Sequence, residues 1–123
     1  MRITPLIHVD EIEVTLPFWI DGLGFQQIAD VTEEGKKLFV LLKKGNQELM
    51  IQTRKLVQRE FPALMEFTHP SAALYIDVES LGPLMPCLNE VETRVPLHKT
   101  SYGTSEIIVR EPGGNLVCFA AHE

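Results

Sequence analysis

The sequence predicts an α+β fold made of two tandem βαβββ modules. Three observations carry that reading. Strand-like and helix-like segments occur in the same order in both halves of the chain. The dipeptides Gly45-Asn46 and Gly114-Asn115 each stand just before the last strand of their half. The stretch Tyr102–Ala121 reads as strand, Glu-Pro-Gly-Gly-Asn turn, strand, the pattern of a closing hairpin. A unit recurring at about half the chain length is the mark of a duplicated module.

In the first half, Ile3–Val9 alternates Ile3, Pro5, Ile7 and Val9 on one face with Thr4, Leu6 and His8 on the other. Pro5 fits only near the start or on the edge of such a strand. A helix follows from Asp10 or Glu11 to about Gly22, with Val14, Leu16, Phe18, Trp19 and Leu23 as its apolar stripe. Pro17 removes a helical hydrogen bond, so the regular helix is expected to begin near Leu16, after a looser turn. Gly22 and Gly24 are candidate stops. Strands are expected at Phe25–Thr32, Lys37–Lys44 and Glu48–Thr53, divided by the polar turns Glu33–Lys36 and Gly45-Asn46. Module 1 thus spans about residues 1–53.

A helical connector is expected over Arg54–Thr68, broken by Pro62 and ended by His69-Pro70-Ser71. Module 2, about residues 71–123, repeats the order. Ala72–Val78 sets Leu74, Ile76 and Val78 against Ala73, Tyr75 and Asp77. Leu81–Val91 is helical in pattern but punctuated by Pro83 and Pro86. Thr93–Thr100, Ser105–Arg110 and Leu116–Ala121 complete it as strands.

Bulk properties narrow the function classes. A chain of 123 residues that is 45% hydrophobic and 23% charged is of single-domain size and ordinary globular composition. No apolar run nears the roughly 20 residues that cross a bilayer, and no signal peptide is recognisable, so a cytoplasmic protein without membrane contact is expected. Two cysteines, Cys87 and Cys118, without CxxC spacing read as buried thiols. A net charge of −6 argues against nucleic acid, whose phosphates require a basic patch. Residues 62–123 hold three Lys/Arg against eight Asp/Glu, which favours a cationic small ligand over an anionic one.

Asp10 with Phe18–Phe25 (FWIDGLGF), the strand Ala73–Glu79 (ALYIDVE) and the turn Arg110–Asn115 (REPGGN) resemble signatures of the vicinal oxygen chelate superfamily. That superfamily includes glyoxalase I, extradiol dioxygenases, fosfomycin resistance proteins and bleomycin resistance proteins. The resemblance implies a strongly curved mixed sheet forming a cup, the glyoxalase/bleomycin resistance/dioxygenase fold. Metal-using members take ligands from a His on each module's first strand and a Glu on the last. Carried over by position, those places fall near Thr4, at about Ala73, at Cys118, and at Glu48 or Met50. Thr is a weak ligand and Ala none, so a resident divalent metal is not expected. A relocated site using His8, Glu48 and a third donor such as His98 or Asp77 is the alternative.

The ligand-binding candidates are His8, Glu48, Met50, Tyr75, Asp77, Tyr102 and Cys118. His8 shares a face with Thr4 and Leu6 and offers an imidazole, against the reading of a merely hydrogen-bonded strand residue. Glu48, Met50 and Gln52 alternate along one strand face while Leu49 and Ile51 fill the core. Tyr75 offers a flat apolar body with a hydroxyl tip. Asp77 could meet a cationic group, but capping of the following helix is the favoured reading. Tyr102-Gly103 is either a loop over the cup or a turn. Cys118 has no base or cation beside it in sequence and reads as structural rather than nucleophilic. No catalytic residue is assigned.

The expected function is that of a metal-independent binding protein similar to bleomycin resistance proteins. It would sequester a hydrophobic or cationic molecule without cofactor, as a homodimer, with antibiotic resistance the implied role. The enzymatic alternative is a metal-dependent glyoxalase-type lyase, isomerase or dioxygenase with an altered metal shell.

Overall fold

The computed structural model describes residues 1–63 and 72–122. The chain divides into two compact units, Met1–His69 and Pro70–Glu123.

In the first unit, β1 (Leu6–Val9), α1 (Ile12–Pro17), β2 (Gln26–Glu33), β3 (Lys36–Lys44), β4 (Gln47–Thr53) and α2 (Arg54–Glu60) follow in order. The sheet order is β1-β4-β3-β2, with β1 parallel to β4 and the other pairs antiparallel. Alternation sorts the faces as expected. Val9, Leu38, Val40, Leu42, Leu49 and Ile51 are buried on the helix side, with Ile12, Phe18, Trp19 and Val57 among the other buried residues. Trp19 meets Phe18 and Phe25 edge to face, at centroid distances of 5.1 and 5.8 Å, an arrangement that suits aromatic quadrupoles.

Three sequence expectations are corrected here. The first strand begins at Leu6 rather than Ile3, although the Pro5 carbonyl still accepts a bond from Met50 N–H at 2.9 Å. The helix begins at Ile12, with no loose turn before it, and Pro17 is its last residue. Directly after Pro17 the chain widens into a π-helical turn, Phe18–Gly22, in which Leu23 N–H bonds Phe18 O at 3.1 Å. A proline clashes with the carbonyl four residues back, and the wider turn follows where the regular ladder fails. Lys44 Nζ caps this end by donating to Leu23 O at 2.6 Å.

The connector helix is shorter than expected, ending at Glu60. Thr53 supplies its N-cap by accepting from Leu56 N–H at 3.1 Å. Residues 64–71, which include Leu64, Met65 and Phe67 of the expected connector and the stop at His69-Pro70-Ser71, lie outside the described residues.

The second unit runs β5 (Leu74–Val78), a 3₁₀ turn (Gly82–Leu84), α3 (Met85–Leu88), β6 (Glu92–Lys99), β7 (Thr104–Arg110) and β8 (Leu116–His122). Its sheet order, β5-β8-β7-β6, with β5 parallel to β8, repeats that of the first unit. The tandem-module reading therefore holds. The helix expected over Leu81–Val91 is reduced to these two short pieces. Pro83 and Pro86 withhold the amide hydrogens that a longer ladder would need. Ile107, Val109, Val117, Phe119 and Ala121 are buried together with Leu81 and Leu88.

The Glu-Pro-Gly-Gly-Asn turn is organised by its carboxylate. Glu111, 1% exposed, accepts from Gly113 N–H at 2.7 Å, Asn115 N–H at 3.0 Å and Asn115 Nδ2 at 2.9 Å. Gly114 takes φ +99°, a conformation that suits a residue without Cβ.

Candidate functional site

Strand register places the predicted residues other than Tyr102 on the sheet face turned away from the helices of each unit. In the first unit, Leu6, Met50 and Leu41 form one cross-strand row and His8, Gln52 and Phe39 the next. Burial holds the His8 imidazole below its usual pKa, and the Arg54 charge adds to that shift, so the neutral ring prevails at neutral pH. Gln52 Oε1 is buried with no hydrogen-bond partner among the described residues. Glu48 is half-buried and ion-paired with Arg2. Met50 lies in the Leu6–Leu41 row as a half-buried, adaptable wall.

The second unit brings three predicted residues together around one that the sequence reading missed. Glu106, on β7, is 6% exposed. Its Oε2 accepts from Tyr102 Oη at 2.9 Å, Thr104 Oγ1 at 2.9 Å and Tyr75 Oη at 3.1 Å. Cys118 Sγ donates to Oε1 at 3.7 Å. Register explains the convergence. Tyr75 pairs with Cys118 across β5 and β8, and Cys118 pairs with Ile108, two residues from Glu106 on the same face of β7. Tyr102 arrives from the β6–β7 turn. There Gly103 has φ +90°, and Thr104 N–H and Thr100 N–H bond Thr100 Oγ1 and Thr104 O at 3.1 and 2.8 Å. Tyr102-Gly103 is thus a turn, with its phenol directed at Glu106.

Electrostatics within the ring follow from one buried anion among neutral donors. Burial pushes Glu106 upward, but hydrogen bonds from Tyr102, Thr104, Tyr75 and Cys118 outweigh it and leave the carboxyl below its ordinary range. Desolvation, then the Glu106 bond and charge, raise Tyr75 to about 12. Desolvation, then the Glu106 charge, raise Cys118 to about 11. A thiol so raised is a poor nucleophile. Tyr102 is raised chiefly by its bond to Glu106.

Asp77 departs from expectation. The 3₁₀ turn that follows has Leu81 at its N-cap with no side-chain cap bond, and Asp77 instead lies 3.3 Å from His122 Nε2. Glu106 itself was legible only as a polar residue alternating with Ile107 and Val109. Nothing local in Ser105–Arg110 announces its partners.

The residues at the positions where the sequence resemblance would put metal ligands do not suit a divalent ion. Ala73 brings no donor, Glu48 is engaged by Arg2, and the Cys118 thiol is held protonated. Among the described residues no group of three or more His, Cys, Asp or Glu side chains is placed to hold a metal. No helix there is long and apolar enough to cross a membrane. A groove of about 810 Å³ in the first unit is lined by Asp10, Glu11, Glu13, Glu33, Lys37 and Lys55, among others. Small-molecule sites are mostly apolar with few polar groups. This groove is dominated by charges, several engaged with neighbours, as Glu13 is with Lys37 N–H at 2.9 Å and Glu33 with Arg59 at 2.9 Å.

No protein-family model matches the chain, and no curated protein matches it by sequence. Solved structures do match. A glyoxalase/bleomycin resistance protein/dioxygenase family enzyme from Burkholderia phytofirmans PsJN aligns with TM-score 0.76 and 18% identity, over 98% of this chain and 97% of that one. The bleomycin-binding protein of Streptomyces verticillus, in complex with copper(II)-bleomycin, aligns with TM-score 0.62 and 22% identity over 100% and 97%. A lactoylglutathione lyase from Agrobacterium tumefaciens aligns with TM-score 0.70 and 15% identity over 98% and 92%. The chain has the glyoxalase/bleomycin resistance protein/dioxygenase fold.

Proposed function

We propose that this protein binds and sequesters a small hydrophobic or cationic molecule, without metal and without making or breaking a bond. The observation that carries the reading is the ring of Tyr75, Tyr102, Thr104 and Cys118 around Glu106. It puts two exposed aromatic residues beside a buried carboxylate on an open sheet face. Such a surface offers apolar area for burial and a few fixed polar groups for orientation, the usual division of labour in a ligand site. In the first unit, His8, Met50 and the Gln52 acceptor offer a second surface of similar character.

The reading is of a cytoplasmic homodimer. Exposed Ile28 and Val31 on β2, and Val95 and Leu97 on β6, support self-association. Of the neighbouring structures, the bleomycin-binding protein supports small-molecule binding as a use of this fold. The test is equilibrium dialysis of the purified protein against aromatic cations and neutral aromatics, with and without EDTA. Binding unaffected by EDTA is expected. Glyoxalase-type turnover stimulated by added nickel or zinc would overturn the reading.

A further inference from the structure

We propose that Glu106, flanked by Tyr75 and Tyr102, is the anchor of a subsite for a planar organic cation, an amidinium or guanidinium group on the ligand. The proposal rests on the ligand-binding reading above and names the chemistry that its second unit selects.

The first argument is charge balance. A buried carboxylate is normally matched by a cation, because desolvating an uncompensated charge is costly. Glu106 forms no ion pair among the described residues; all its partners are neutral hydroxyls and a thiol. Those donors keep the carboxyl ionised without cancelling its charge. The site is thus an anion awaiting a counter-charge.

The second argument is acceptor capacity. An ionised carboxylate accepts about four hydrogen bonds over its two oxygens. Oε2 takes three hydroxyl donors, whereas Oε1 has only Cys118 Sγ at 3.7 Å. By that count Oε1 retains acceptor capacity for a further, stronger donor.

The third argument is the flanking surface. Tyr75 and Tyr102 are 54% and 67% exposed although both hydroxyls are committed to Glu106. What they offer a solute is chiefly ring surface, which attracts cations. Delocalised planar cations are more weakly hydrated than an ammonium and stack on aromatic faces, so they lose less on entering such a place. Other charged and titratable groups on this face leave the sign unchanged. Asp77 is a second carboxylate beside His122, Arg110 is ion-paired with Glu92 at 2.9 Å, and His98, opposite Glu106 in register, directs Nδ1 to Pro96 O at 2.9 Å.

The experiment titrates the full chain with benzamidine, with its neutral isostere benzamide, and with benzoate, followed by backbone amide NMR. Benzamidine is expected to shift Tyr75, Tyr102, Glu106 and Cys118 and to bind about tenfold more tightly than benzamide, with benzoate weaker still. Glu106→Gln should erase the preference for benzamidine. The comparison of benzamidine with benzamide on the unaltered protein keeps the proposal testable if the Gln variant folds poorly. Equal binding of benzamidine and benzamide by the unaltered protein overturns the cation subsite while leaving ligand sequestration standing. Shifts confined to the first unit overturn it likewise. If none of these probes nor any of the dialysis compounds binds, both readings fall.

Discussion

Tyr102 donates its phenol hydrogen to Glu106 Oε2 across 2.9 Å, four residues along the chain and around a turn whose Gly103 has φ +90°. The bond ties the β6–β7 turn to the middle of the sheet face. It also makes Tyr102 one of two phenols, with Tyr75, that titrate against the same anion.

Alkaline titration of the tyrosines checks that ring directly, because the chain contains only two. Tyr75 is expected to ionise near pH 12 rather than near its ordinary 10.0. Glu106→Gln removes the neighbouring charge and should return it toward the ordinary value. The readout is phenolate absorbance; an unchanged titration in the variant refutes the link.

The same shifts set the pH dependence of stability. Folded Tyr75 keeps its proton to higher pH than the unfolded chain, so between pH 10 and about 12 its stabilising contribution is lost as pH rises. Cys118 behaves alike from pH 9.0 to about 11. Glu106 has the opposite sense: its contribution is present above the ordinary glutamate pKa and is lost as pH falls through the lowered folded value. Urea unfolding across pH should decline on both limbs, and Glu106→Gln should blunt both.

Thiol labelling separates the two cysteines. Cys118 is buried and raised to about 11, leaving about one thiolate in a thousand at pH 8. Cys87 is half-buried, and burial also raises it, with the Glu90 charge a lesser cause. Alkylation followed by mass spectrometry is expected to modify Cys87 first, and Glu106→Gln should speed the labelling of Cys118.

Two structural substitutions test the frame. Glu111→Ala strips the acceptor from Gly113 and Asn115 and should cost on the order of 2 kcal/mol by chemical denaturation. Thr53→Ala removes the cap of α2 and should cost about 1 kcal/mol. Equal losses for the two would argue that the Glu111 turn is no more than an ordinary cap.

Much of the architecture was legible because alternation and punctuation are local properties. Val9, Leu49 and Ile51 declared the buried face of their strands, and Gly45-Asn46 and Gly114-Asn115 the place of the last strand in each module. The helices were less legible. The effect of Pro17 depended on whether the chain could widen into a π turn, and Lys44, twenty-one residues beyond Leu23, helps close that turn.

Alternation with period two was enough to put Tyr75 and Asp77 on one face of their strand, whereas Cys118 was located only through the family resemblance. Tertiary structure alone decided that Tyr75 and Cys118 share a site while Asp77 turns to His122. It also decided that Glu106, which no local signal distinguishes, stands at the centre of that site. The reason is register: Tyr75 and Glu106 are 31 residues apart, and only the pairing of β5, β8 and β7 brings phenol and carboxylate within 3.1 Å.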